Sequence, residues 1–452
     1  MSGQVTTYET VLESLVTMLA HPVDRADFGR AACHVLDWLG CAVLGNKSAA
    51  AKGFANVTAK GPIGPCRTIG LGRRDWWYAL QLNAAVGNLL EMDDLHRSSI
   101  LHPGPIIVPA AIAAAEAVGA TATQLLSSIV RGYEATIRIG RALGPAHYVY
   151  FHNTSTAGTF GAAAAAANLL GLGAQQIGWA LANAGSRTGG LWQMRHESCE
   201  TKSLHNVQAA QTGVQAAFLA AQGVRGPISL LEGHQGLFAA MAPGANVHDI
   251  LTRTTDGWLI HEVSFKPWPA CRHAHPTIDA ALAVRERLVK EVSVVEIAAI
   301  EVSTYKSALD FCNKPQPETE LQAKFSLQHC AAVVLAGGAP WLPQFSIDAL
   351  QSPATVALRK VVALRESTEL SARFPNHYGA NVRVTLADGR VFEHEQRDAL
   401  GDTELPMSET QFTDKARLLL AQAQVPDVDG LIAATLALAS GGTLQAFTAK
   451  WP

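Results

Sequence analysis

Apolar residues recur with a helical period through the first half of this chain and change to a period of two after about Ser264. That change limits the available folds more than any other feature. Phe28, Ala31, Ala32, Val35 and Leu39 stand at i, i+3, i+4, i+7 and i+11, which is one face of a helix, and Gly45 supplies a stop. Similar faces run over 76–90 and 109–117, and Leu125, Leu126, Ile129, Val130 and Tyr133 follow Thr121, a residue suited to capping. The Ala-rich run over 159–170 ends at Gly171 and Gly173, and its small residues suit a tightly packed interior helix. A further helix is expected over 200–222. Beyond Ser264, Ile300, Val302 and Thr304 alternate with Glu301, Ser303 and Tyr305. Val382, Val384 and Leu386 lead through Asp388-Gly389 into Arg390, Val391 and Phe392, a strong hairpin signal. A helix over 321–336, stopped by Gly337-Gly338, lies between these strands, and helical pattern returns over 416–423 and 431–439. The expected fold is mainly α: a large all-helical domain over 1–265, a smaller α+β lid domain over 266–396, and a C-terminal segment, 397–452, returning to the helical domain. A length of 452 residues suits two or three domains.

Composition narrows the function classes. Hydrophobic residues make up 48% and charged residues 16%, which suits a large buried core and argues against disorder. A formal net charge of −3 gives no electrostatic footprint for nucleic acid. Residues 1–22 carry Glu9 and Glu13 and do not read as a signal or transit peptide. The Ala-rich stretch is interrupted by Gly158, Gly161 and Asn168 and is too short and too weakly apolar to span a membrane. Seven cysteines without a CxxC pair suggest reduced thiols and a cytoplasmic protein. There is no GxxxxGK[ST] and no GxSxG, and Gly70-Leu71-Gly72 lacks the third glycine of a dinucleotide loop.

The densest polar cluster of the first half is Glu91, Asp93, Asp94 and His96, followed by His102-Pro103-Gly104. Between two helical patterns it falls on a loop, where such groups can run acid–base chemistry, hold a metal, or simply cap the next helix. His152 precedes Asn153, Thr154, Ser155 and Thr156, good helix-start residues whose helix N-terminus attracts carboxylates; a core histidine bonded to a carbonyl reads equally well. Lys202 stands near a helix start, where dipole logic does not favour a cation, although a surface lysine is the default. Lys266 lies in the rigid Phe265-Lys266-Pro267-Trp268-Pro269 segment at the expected domain junction, and clefts between domains tend to bind ligands. His273-Ala274-His275 with Asp279 invites a zinc reading, and Cys271 beside it a reactive thiol; both are minor alternatives.

Several of these stretches together resemble the MmgE/PrpD family, which includes 2-methylcitrate dehydratase, cis-aconitate decarboxylase and iminodisuccinate epimerase. They are Leu90-Glu91-Met92-Asp93-Asp94 with His102-Pro103-Gly104, Gly132-Tyr133-Glu134 with Ile139-Gly140-Arg141, and Phe151-His152-Asn153-Thr154-Ser155-Thr156. Val108-Pro109-Ala110-Ala111, Gly158-Thr159-Phe160-Gly161, Thr201-Lys202-Ser203-Leu204-His205 and Phe265-Lys266-Pro267-Trp268-Pro269 with His275-Pro276 complete the set. The resemblance implies a helical domain closed by the C-terminal segment, an α+β domain, a site at the domain cleft and a homodimer. By position it implies a site acid at Glu91, motif histidines at His102 and His152, and lysines at Lys202 and Lys266. Glu91 stands where relatives often carry Asp, and the tyrosine that some place on the small domain has no clear counterpart here.

On that basis His102 is expected to transfer the proton with His152 as its partner, and Glu91 and Asp94 to orient the histidines. Lys202, Lys266 and His275 are expected to bind substrate carboxylates. Elimination, decarboxylation and epimerisation beside a carboxylate can all pass through a carbanion or enediolate, whose charge fixed cations stabilise. No cofactor and no metal are expected, and the partner is a small polycarboxylate. The leading expectation is a 2-methylcitrate dehydratase-like hydro-lyase, with an epimerase or decarboxylase of the same type as alternative. From other classes come a metal-dependent hydrolase using Asp93, Asp94, His96 and His275, and a non-catalytic carboxylate-binding protein.

Overall fold

The computed structural model describes residues 9–452 apart from 198 and 293–295. It resolves into two compact units, Met1–Val263 with Gln411–Pro452, and Ser264–Thr410. The first is helical, the second mixes helices with a four-stranded sheet, and the whole is mainly α. No helix among the described residues is long and apolar enough to cross a membrane.

In the first unit, local chemistry opens several of the helices. The Asp24 carboxylate accepts from Ala26 N and Asp27 N at 2.7 and 3.0 Å, and Asp27 returns a bond to Asp24 N. This reciprocal cap starts helix Arg25–Gly45. Thr121 and Gln124 repeat it for helix Ala122–Tyr150, which kinks at Gly144 (φ +71°) before Pro145, a residue that cannot continue a straight helix. Helix Trp76–Val86 stops earlier than the apolar pattern suggests, so Glu91 lies beyond it in a loop. A two-stranded hairpin, β1 (Cys66–Thr68) and β2 (Gly72–Arg74), was not legible, since three-residue strands show no alternation.

Helix Asn153–Leu169 contains the Ala-rich run but starts six residues before it, which makes His152 its N-cap residue. Nearly all of it is buried. Two neighbours approach it more closely than side chains would allow. A Cβ on Gly161 would lie 2.5 Å from Gly132 O, and one on Gly213 would lie 2.6 Å from Thr159 O. Gly213 belongs to helix Thr201–Ala221, so this contact fixes the helix whose first turn carries Lys202 and His205.

The second unit is built on β3 (Ile297–Thr304), β4 (Val362–Glu366), β5 (Ala380–Leu386) and β6 (Val391–Gln396), in the order β4-β3-β5-β6. β3 runs parallel to β4 and antiparallel to β5, and β5–β6 is the Asp388-Gly389 hairpin, with Gly389 at φ +88°. Ile300 and Val302 face a core shared with Val382, Val384, Ile278, Val284 and Val334. Two expectations change here. Tyr305 does not continue the exposed face of β3; the strand ends at Thr304, and Tyr305 turns inward and is buried. The helix over 321–336 is two pieces, Glu320–Lys324 and Leu327–Gly337, because Ser326 Oγ caps a new start at His329 N (3.0 Å).

Candidate active site

In the first unit the loop from Glu91 to His102 meets the starts of helices Asn153–Leu169 and Thr201–Ala221. Glu91 adopts φ +58°, unusual for a residue with a Cβ, and such conformations concentrate at functional sites. Its buried carboxylate pairs with the Lys202 ammonium, which is 23% exposed. His102 is 16% exposed, and its Nδ1 lies 2.7 Å from Asp94 O and 3.0 Å from the buried Asp93 carboxylate. The carbonyl of Asp94 can only accept, so Nδ1 carries the proton and the lone pair falls on Nε2, while the Asp93 carboxylate lies within ion-pair distance of the ring.

Asp94 has a different task from the one expected of it. Its carboxylate receives His34 Nδ1 and Tyr133 OH, each at 2.7 Å, and Gly104 N at 2.9 Å. Burial pushes His34 down to about 4, so it is a neutral donor, and raises the Tyr133 hydroxyl well above its usual range. The side chain of Asp94 therefore ties together three helices, and only its backbone carbonyl touches His102. The carboxylate nearest the His102 ring is that of Asp93, which the sequence placed in the polar loop cluster but not among the residues expected to orient the histidines.

His152 is buried, with Nδ1 3.2 Å from His205 Nδ1. One ring donates and the other accepts, so a single proton bridges them. Burial first, then the His205, Lys202 and His102 charges, holds His152 well below the usual imidazole range, and burial lowers His205 as well. His152 therefore serves as a neutral hydrogen-bonding group and not as an imidazolium acid. The Trp192 ring covers it at 4.7 Å. His205 was missed as a site residue; its three-residue spacing from Lys202 on one helix was the available signal.

Lys266 and His275 belong to the second unit. Lys266 is buried, and its segment is pinned where Phe265 N donates to Gly401 O (3.1 Å) and Ser264 Oγ to Asp402 (2.7 Å). Its charge adds to the burial that pushes His273 down to about 4. His275 is fully buried between Ala270 O on Nε2 (3.1 Å) and an Arg272 N–H on Nδ1 (3.2 Å), so its ring nitrogens serve the fold and its expected contact with substrate is not borne by the geometry. The zinc reading meets the same obstacle. His273 Nδ1 is engaged by Tyr305 OH (2.7 Å), and Asp279 accepts from Trp268 Nε1 and Leu400 N. Cys271 is buried in the core with Cys312 and Cys330. His96 faces Ser99 Oγ and Glu262, apart from His102. Among the described residues the one trio of metal-ligand types with donor atoms within 4.8 Å is His377, Asp398 and Glu404, none of which the metal-hydrolase reading invoked.

The chain matches the MmgE/PrpD N-terminal domain over residues 20–249 and the MmgE/PrpD C-terminal domain over residues 268–434. It is 29% identical over 399 residues to cis-aconitate decarboxylase of Mus musculus, covering 85% of this chain and 80% of that protein. Similarity to the Homo sapiens cis-aconitate decarboxylase is 29% over 349 residues, covering 75% and 72%. Similarity to that of Aspergillus terreus is 25% over 432 residues, covering 89% and 88%. With both domains matched over most of its length, this chain belongs to the MmgE/PrpD family.

Proposed function

We propose that this protein is a lyase that moves a proton at a carbon next to a carboxylate of a small polycarboxylic acid, and that its reaction is decarboxylation of a cis-aconitate-like acid. The observation that carries the reading is His102, partly exposed, with Nδ1 bonded to Asp94 O and 3.0 Å from the Asp93 carboxylate, beside the Lys202–Glu91 pair. When a β,γ-unsaturated acid loses CO2, the C–C bond to the carboxylate breaks and its electron pair shifts into a new alkene. The far carbon of the old alkene then needs one proton. His102 in its imidazolium form delivers that proton from Nε2 and returns to the neutral tautomer, with Asp93 steadying the charged state. Lys202 anchors a carboxylate and offsets the charge that builds on the carbon framework. Lys266 is kept as a second carboxylate anchor on the strength of the resemblance alone.

The choice of decarboxylation over the 2-methylcitrate dehydration expected from sequence follows the relatives, which are named as cis-aconitate decarboxylases. Proton NMR in D2O with cis-aconitate, citrate, 2-methylcitrate and iminodisuccinate tests it. A product from cis-aconitate with a new terminal alkene and one deuterium on its saturated CH2, its formation lost in His102→Ala, is the expected result. An alkene arising from 2-methylcitrate instead would return the reading to a hydro-lyase, and no change with any acid would overturn it. The same proposal includes a reducing, cytoplasmic setting, supported by seven free cysteines, and a homodimer, which light scattering of the purified protein checks.

A further inference from the structure

We propose that Lys415, on helix Glu409–Gln422, is a positioning residue for the proton-transfer site: by holding Met92 O it sets Asp93 against His102 and Glu91 against Lys202. This rests on the reading of His102 as the proton-transfer group. The Lys415 ammonium donates to Met92 O at 2.7 Å and to Asp37 Oδ1 at 2.6 Å. Both charged side chains are buried, at 4% and 2% exposure. An ion pair with Asp37 would be enough to neutralise a buried lysine, so the bond to Met92 O is an additional constraint. It falls on the peptide that joins Met92 to Asp93, one residue after Glu91. A tether on that carbonyl fixes the peptide plane from which the Asp93 side chain departs. No helix or strand ladder does so here, since Glu91 to Asp94 lie outside regular structure.

Gly40 packs closely against this helix: a Cβ there would lie 3.2 Å from Leu419 Cδ1, one turn beyond Lys415. Burial pushes Asp37 up to about 6, with Lys415 opposing it, so near neutral pH the pair is ionised and the tether is charged. Besides the backbone contact at Met92 O, the Lys415 ammonium feels the charge of the Asp93 carboxylate.

The test compares the full-length chain with Lys415→Met, Asp37→Asn and the double variant Asp37→Asn/Lys415→Met. Turnover is measured on cis-aconitate, and the His102 tautomer by 15N–1H NMR of the imidazole. Lys415→Met can fail to fold because it strands Asp37, whereas the double variant removes both charges. In Lys415→Met or the double variant, kcat is expected to fall about 10–100-fold with KM within roughly twofold, the scale of a small misplacement of a reacting group. The His102 signals are expected to change from the Nδ1–H form to a mixture. Asp37→Asn keeps the Met92 bond and should keep the wild-type His102 pattern. Unchanged kcat, a fall in kcat with unchanged His102 signals, or a double variant that cannot fold would each overturn the proposal. If the wild type does not turn over cis-aconitate, the functional reading has failed, and the tautomer measurement decides the positioning role by itself.

Discussion

At the residue scale the adjacent pair Asp93 and Asp94 shows how neighbouring acids take different work. Asp93 faces the His102 ring, whereas Asp94 accepts from His34, Tyr133 and Gly104 N. The two substitutions should therefore fail differently. Asp93→Asn should lower kcat about 10²–10⁴-fold, because the amide removes the negative charge beside the His102 ring while Asp94 O still holds the tautomer. Asp94→Asn should instead appear first as a loss of about 1–3 kcal/mol in denaturant unfolding, since its new N–H2 faces buried donors. Equal losses of stability in both, with equal loss of turnover, would contradict this division. The sequence brought the right loop to attention but could not separate the two acids. In a loop, adjacent side chains take directions set by backbone dihedrals such as the positive φ at Glu91, and no periodicity reveals those.

At the element scale the active-site helices are held by contacts between small residues. Gly213 lets helix Thr201–Ala221 lie against the Ala-rich helix, where a Cβ would sit 2.6 Å from Ala162 Cβ, Ala163 N and Thr159 O. Two of those atoms are backbone and cannot rotate away. Gly213→Ala is expected to cost about 1–3 kcal/mol through overpacking, read as a lower melting temperature. A stabilised variant, as expected when alanine replaces a helical glycine with room around it, would show that the helices are not so close. The elements themselves were largely legible. The Thr121 cap and the Asp-Gly hairpin act over two to four residues, the range that a local pattern reports. The Ser326 cap acts over the same range but lies inside a continuous apolar run, which hid the break between Glu320–Lys324 and Leu327–Gly337.

For the whole molecule, burial of titratable groups makes stability depend on pH. His34, His273 and His329 are pushed from 6.5 down to about 4, chiefly by burial. Each is neutral in the native state where the unfolded chain would already be protonated. Their contribution is fully present above pH 6.5 and is lost as pH falls toward 4. Asp37 and Asp279, raised from 3.8 to about 6, act in the opposite sense between those values, because the native state then binds the extra protons. Three histidines outweigh two carboxyls with shifts of similar size, so the melting temperature should fall as pH is lowered from 6.5 toward 4. A flat or rising profile in differential scanning fluorimetry would refute that balance. By itself, the sequence determined the helical character of the first unit, the strand period of the second and the loop that carries Glu91 and His102, since all of these are written in neighbours a few positions apart. Only the tertiary structure decided that Asp93 supports His102, that His152 is paired with His205, and that Lys415 reaches Met92 from 323 positions away. Those facts depend on which distant side chains share a desolvated space, and a pattern of near neighbours carries no information about that.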